Sequence, residues 1–138
     1  MQQPLFSIII PVYNAKATLK TAVNSILGQS EKDLELLLVD DGSRDGSIDL
    51  CRQLAQQDPR VKVFVQKNGG ICAARNTGLS QARGRYIGFC DDDDRYLPQA
   101  LQTARELIEQ TGADVVRGGY NSIEVSDIIG EHISQCRI

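Results

Sequence analysis

Four consecutive carboxylates, Asp91, Asp92, Asp93 and Asp94, are the residues of this chain best suited to chemistry. Like charges roughly 7 Å apart repel by about 0.6 kcal/mol in bulk water and by several-fold more near protein. Such a run must therefore be open to water or neutralised. An Asp-x-Asp pair offers hard oxygen ligands to a cation such as Mg2+ or Mn2+, which keeps open positions for phosphate. A solvated acidic turn is the competing account, and the run alone supports both. It follows residues 86–90, Tyr-Ile-Gly-Phe-Cys, which have the length and aromatic content of a buried strand. If the backbone stays extended, Asp91 and Asp93 share one face and Asp92 and Asp94 the other.

Two further features point to an anionic ligand. Arg75 lies four residues after Ile71 and four before Leu79, inside an expected helical stripe of Ile71, Gly78, Leu79 and Ala82. A guanidinium facing a sheet needs a carboxylate or phosphate partner, because an unpaired buried charge costs several kcal/mol; snorkelling outward is the alternative. Gly69-Gly70 stands just before this helix, where exposed N–H groups and the helix dipole favour an anion. The phosphate-loop pattern Gly-x-x-x-x-Gly-Lys-[Ser/Thr] and the dinucleotide pattern Gly-x-Gly-x-x-Gly are both missing from the sequence.

The elements that must position these groups follow from periodicity. Residues 5–10 form an apolar run closed by Pro11, a strand covered on both faces. Asn14 is placed to cap a helix in which Leu19, Ala22, Val23, Ile26 and Leu27 recur at helical spacing up to Gly28. Residues 34–39 predict a second strand, ended by the turn Asp40-Asp41-Gly42-Ser43. A second helix turns Ile48, Cys51, Leu54 and Ala55 inward and stops at Asp58-Pro59. Residues 61–65 give a third strand, and a third helix runs from Gly70 to about Ala82. After the acidic strand, Leu101, Ala104, Leu107 and Ile108 mark a fourth helix before Gly112, and residues 113–117 begin a fifth strand. Alternating apolar strands and helices predict an α/β sandwich with a largely parallel sheet. In such sheets ligands bind at the C-terminal strand ends, where Pro11-Val12-Tyr13-Asn14, Asp40 to Ser43, Gln66 to Gly70 and the aspartates all fall.

Composition narrows the function classes. At 138 residues, 41% hydrophobic and 24% charged, the chain fits one soluble globular domain with a real core. Its net charge is −3 and the four aspartates carry −4, so the rest is +1. Local acidity of this kind argues against a nucleic-acid or membrane surface. Cys51, Cys72, Cys90 and Cys136 show no zinc-like spacing, which fits reduced thiols in a cytoplasmic protein. No window approaches 18 apolar residues, so no transmembrane segment is expected. His132, the only histidine, reads as surface, and the signals weaken after Gly118 as though the chain were cut.

Taken in order, Ser7 to Asn14 (Ser-Ile-Ile-Ile-Pro-Val-Tyr-Asn), Val39-Asp-Asp-Gly-Ser43, Asn68-Gly-Gly, Ala74-Arg-Asn-Thr-Gly78 and Asp91-Asp-Asp-Asp94 resemble the family 2 glycosyltransferases over residues 5 to about 118. The resemblance implies a GT-A (Rossmann-like) three-layer sandwich, a nucleotide-sugar donor, usually a UDP-sugar, a divalent metal (Mn2+ or Mg2+) and inversion at the anomeric carbon. By position, Pro11 and Tyr13 would flank the uracil and Asp41 would hydrogen-bond it. Gly70 and Arg75 would lie near the diphosphate, with Arg75 also near the base. Asp91 and Asp93 match the metal motif, Asp93 as direct ligand, and Asp92 would approach the ribose or sugar. Arg95 stands where an aromatic is common and Asp92 where a small residue is often seen; both departures bear on sugar identity.

The implied chemistry is a single displacement by an acceptor hydroxyl of a glycan or lipid-linked acceptor. Neutralisation of the leaving diphosphate by the metal and Arg75 would assist it. A general base is also required. The downstream acids Glu124, Asp127 and Glu131 stand too close to the metal motif for that part, so the base is expected beyond Ile138. The chain then reads as one domain, residues 1–138, forming the donor-binding part of a longer transferase, cytoplasmic or at the inner face of a membrane. Self-association is left open. The rival readings are a non-catalytic nucleotide-binding module and a nucleotidyltransferase, although the latter usually places a basic Gly-rich loop where Pro11 to Asn14 stand.

Overall fold

The computed structural model describes residues 2–123 and 133–137. At its centre are two apolar strands, β1 (Phe6–Val12) and β2 (Leu34–Asp40), buried at every position. β3 (Val61–Val65) pairs with β2, and β4 (Tyr86–Phe89) pairs with β1. All four run parallel in the order β3-β2-β1-β4. Side chains alternate across the sheet. Ile8, Ile10, Leu36 and Leu38 meet α1 (Leu19–Leu27), α2 (Ser47–Gln57) and α4 (Ala100–Thr111) in one core. Ile9, Leu37 and Val39 lie on the opposite face under Ala74 of α3 (Ile71–Gln81). Helices on both faces complete the expected three-layer α/β sandwich. A small second sheet joins β5 (Asp94–Tyr96), β7 (Ile133–Arg137) and β6 (Gly119–Ile123), with β7 in the middle.

Buried polar side chains fix the connections that carry the acidic run. Glu35, the second residue of β2, accepts hydrogen bonds from the Ser7 hydroxyl (2.6 Å), the Arg83 N–H (2.7 Å) and the Lys62 ammonium (2.9 Å). Burial alone would raise its pKa, but these donors outweigh it and hold the carboxyl at about 2. Ser7 in turn accepts the Gly84 N–H at 2.7 Å, which anchors the turn into β4. Gln29, fully buried, donates to the Leu97 carbonyl (2.6 Å) and accepts the Leu101 N–H (3.0 Å), so the segment between the acidic run and α4 is tied to the end of α1.

Several local expectations fail for identifiable reasons. Asn14 does not cap α1. It adopts a left-handed φ of 47°, and its Oδ1 accepts the Arg44 N–H at 2.8 Å, while Thr18 occupies the N-cap. β4 is half-buried rather than buried, with Ile87 41% and Phe89 40% exposed. It lies at the edge of the sheet, and α3 packs over β1 and β2 instead. Residues 113–117 form no strand. Gly112, at φ 67°, ends α4, and no strand among the described residues pairs with the outer edge of β4. On α3 the inward stripe is Ala74 and Gly78, whereas Ile71 and Leu79 are half exposed. A Cβ on Gly78 would stand 2.5 Å from Ile9 Cγ2, so only small residues let this helix sit so close to β1.

Candidate functional site

The C-terminal ends of β1 and β2, the entrance of α3 and the turn after β4 enclose a cleft of about 560 Å³. Pro11, Tyr13, Asp41, Gly70, Asp91, Asp92 and Asp93 all line it, as do Asn68 and Ile71. Arg75 stands behind the acidic turn and reaches it through Asp91.

Asp41 is the most firmly held group. Its backbone N–H donates to the Val12 carbonyl at 2.8 Å, and its carboxylate accepts from Gln66 Nε2 (2.9 Å) and the N–H groups of Gly69 (2.8 Å) and Gly70 (2.9 Å). Burial pushes its pKa up, yet the three donors more than offset this and leave it lowered. The N–H groups read from sequence as an anion site are thus taken by a carboxylate of the chain itself. Gly42 makes the approach possible. It has φ 78°, and a Cβ there would lie 2.9 Å from the Asn68 nitrogen. The buried Asp40 accepts the N–H groups of Gly42 (3.2 Å) and Ser43 (3.0 Å), which shapes the turn that presents Asp41.

The acidic run is a turn, not an extended strand, closed by the Asp94 N–H donating to the Asp91 carbonyl at 3.1 Å. The expected division into two faces is therefore replaced. Asp91, Asp93 and Asp94 gather, with one carboxylate oxygen of each within 4.8 Å of the others. Asp92 is drawn the other way, because its Oδ2 accepts the Tyr13 N–H (3.0 Å) and its carbonyl accepts the Thr18 hydroxyl (2.9 Å). Burial raises the Asp92 pKa, the Asp93 and Asp91 charges add to that, and the Tyr13 N–H opposes it. Oxygen donors this close suit a hard divalent cation.

Arg75 finds the anionic partner its position demands. Its Nη2 donates to Asp91 Oδ1 at 3.3 Å, and its guanidinium lies 5.7 Å from the centre of the Phe89 ring. Its buried Nε has no hydrogen-bond partner among the described residues. The Tyr13 ring, half exposed, stands at the lip of the cleft. Arg95 lines a separate groove with Thr21 and Asn24, so this departure from the family pattern falls outside the cleft.

Sequence reasoning did not find the parts played by Gln66 and Thr18. Gln66 follows the β3 residue paired with Asp40, so the β2–β3 register would have placed it beside Asp41. Thr18 carries no local signal, since its contact spans 74 positions. Glu124, Asp127, Glu131 and His132 lie outside the described residues. No helix among the described residues is long and apolar enough to cross a membrane.

Comparison with known proteins agrees with this geometry. Residues 7–135 match Glycosyl transferase family 2. The chain is 42% identical over 117 residues to the uncharacterized glycosyltransferase EpsJ of Bacillus subtilis, covering 85% of this chain and 34% of that protein. Its structure resembles that of S. aureus TarS solved in complex with UDP-GlcNAc (TM-score 0.74, 30% identity, 79% of this chain and 32% of that one). It also resembles the mannosyltransferase PcManGT of Pyrobaculum calidifontis, solved with GDP-Man and Mn2+ (TM-score 0.71, 25% identity, 85% and 34%). The chain spans less than half the length of the curated relatives it matches. With its parallel sheet and this cleft, the chain has the GT-A fold and belongs to glycosyl transferase family 2.

Proposed function

We propose that this chain is the donor-binding part of an inverting, metal-assisted glycosyltransferase that takes a nucleotide-sugar, with UDP as the nucleotide. One observation carries the reading. A single cleft holds a fixed hydrogen-bond acceptor, Asp41, beside the exposed Tyr13 ring at one end and three converging carboxylates at the other. Uracil stacks on the Tyr13 ring beside Pro11, and its N–H donates to Asp41, whose lowered pKa keeps it an acceptor at neutral pH. The diphosphate then runs past Gly70 towards the acidic turn.

A divalent cation held by Asp93 and Asp91, with Asp94 beside them, would supply Lewis-acid neutralisation of the departing diphosphate. Arg75 holds Asp91 in place and adds positive charge behind it. The acceptor, a glycan or lipid-linked hydroxyl, and the general base that deprotonates it belong to the further length found in the relatives. The fold would work in the cytoplasm, in polysaccharide biosynthesis. The decisive experiment titrates UDP and GDP into the protein with Mn2+. The reading expects UDP to bind at least about tenfold more tightly, because the larger two-ring guanine would have to give up either its stacking on Tyr13 or its N–H donation to Asp41. Equal affinity, or no binding of either, would count against it.

A further inference from the structure

Asp92 sits in the acidic turn, yet its hydrogen bonds to Tyr13 and Thr18 lead away from the other carboxylates. Its Oδ2 accepts the backbone N–H of Tyr13 at 3.0 Å, and its carbonyl accepts the Thr18 hydroxyl at 2.9 Å. Both partners lie in the loop between β1 and α1, more than 70 positions earlier in the chain. That loop carries the ring at the lip of the cleft, and the residues on either side of Asp92 carry two of the three converging carboxylates. A backbone N–H bonded to an ionised carboxylate is among the stronger hydrogen bonds a loop can make.

We propose that Asp92 is a positioning residue that ties the Tyr13 loop to the acidic turn and so couples the nucleoside end of the cleft to its metal end. The inference rests on the donor-site reading above. It differs from the role implied by family resemblance, in which Asp92 meets the ribose or sugar. A cation that sets the geometry of Asp91 and Asp93 also sets Asp92, and with it the Tyr13 backbone. By reciprocity, a nucleoside that orders the loop favours the cation.

Uridine is the discriminating probe, because it has no phosphate with which to touch a metal. In the wild-type protein, Mn2+ is expected to raise uridine affinity about fivefold or more. In Asp92→Ala this gain falls below about twofold, and the Tyr13 amide exchanges with solvent at least about tenfold faster. Asp92→Asn, which keeps an acceptor oxygen, restores both. Thr18→Val, which removes only the bond to the Asp92 carbonyl, shifts both readouts in the direction of Asp92→Ala. Unchanged coupling and unchanged exchange in Asp92→Ala would overturn the inference. So would an Asn variant as impaired as the Ala variant, since charge and not acceptance would then be what matters. If uridine binds wild type under neither condition, the donor-site reading falls. The Tyr13 amide still decides the present inference, with faster exchange in Asp92→Ala supporting the tie and unchanged exchange refuting it.

Discussion

The two faces of the central sheet are built differently. On one, Ile8, Ile10, Leu36 and Leu38 meet three helices in a core of large, fully covered side chains. On the other, Ile9, Leu37 and Val39 meet essentially one helix through Ala74, with Gly78 pressed against Ile9. The first face buries apolar area, which is where most folding free energy arises. The second brings a backbone close to the sheet, sets Gly70, Ile71 and Ala74 along the cleft and places Arg75 behind its acidic turn. Stability and ligand geometry are thus largely assigned to opposite sides of one sheet.

That division can be broken from either side. Leu38→Ala on the thick face should cost about 4 kcal/mol, from lost transfer free energy and a residual cavity. Urea unfolding would measure it, and where the variant stays folded the affinity for UDP should change little.

Glu35→Gln is next, at about 3 kcal/mol at neutral pH, because a carboxyl held at about 2 against an ordinary 4.5 favours the folded state. The sign follows from the depressed value. This contribution is fully present above pH 4.5 and is lost as pH falls towards 2. The wild-type advantage over the variant should shrink across that window, and an unchanged difference at pH 3 would contradict the assignment.

On the thin face, Gly78→Ala should cost about 1–2 kcal/mol by overpacking. It should also weaken UDP binding by displacing α3. Combined with Ile9→Ala, the loss should be smaller than the sum of the two single losses, since the pair shares one contact.

The thick face was the more legible in sequence. Ile8, Ile10, Leu19, Val23, Ile26 and Leu54 announce themselves by period and size, and the structure buries all of them. The thin face misled because size is the wrong guide where a helix must sit close. Of the expected stripe of Ile71, Gly78, Leu79 and Ala82, Gly78 is buried and Ala82 packs against the same face, whereas Ile71 and Leu79 are half exposed and Ala74 takes the inward place. The loop ends of the parallel strands were also legible, so the cleft residues were identified together. What stayed hidden was the path of the acidic run. Its turn is set by Tyr13 and Thr18, groups that no local pattern connects to residue 92. Glu35 was hidden in a different way. A single acid inside an apolar run demands partners, but Ser7, Lys62 and the Arg83 N–H become its neighbours only once the strands are paired.

The smallest effect on stability and the largest on function should coincide at Asp93. It is exposed and crowded by like charge, so Asp93→Ala should change stability by no more than about 0.5 kcal/mol. Calorimetric titration of UDP with and without Mn2+, on the wild-type protein and on this variant, tests the central claim most directly. The account predicts that Mn2+ strengthens UDP binding to wild type and has no such effect on the folded variant. Metal-dependent binding that survives in Asp93→Ala, or a folded wild-type chain that binds UDP under neither condition, would contradict it.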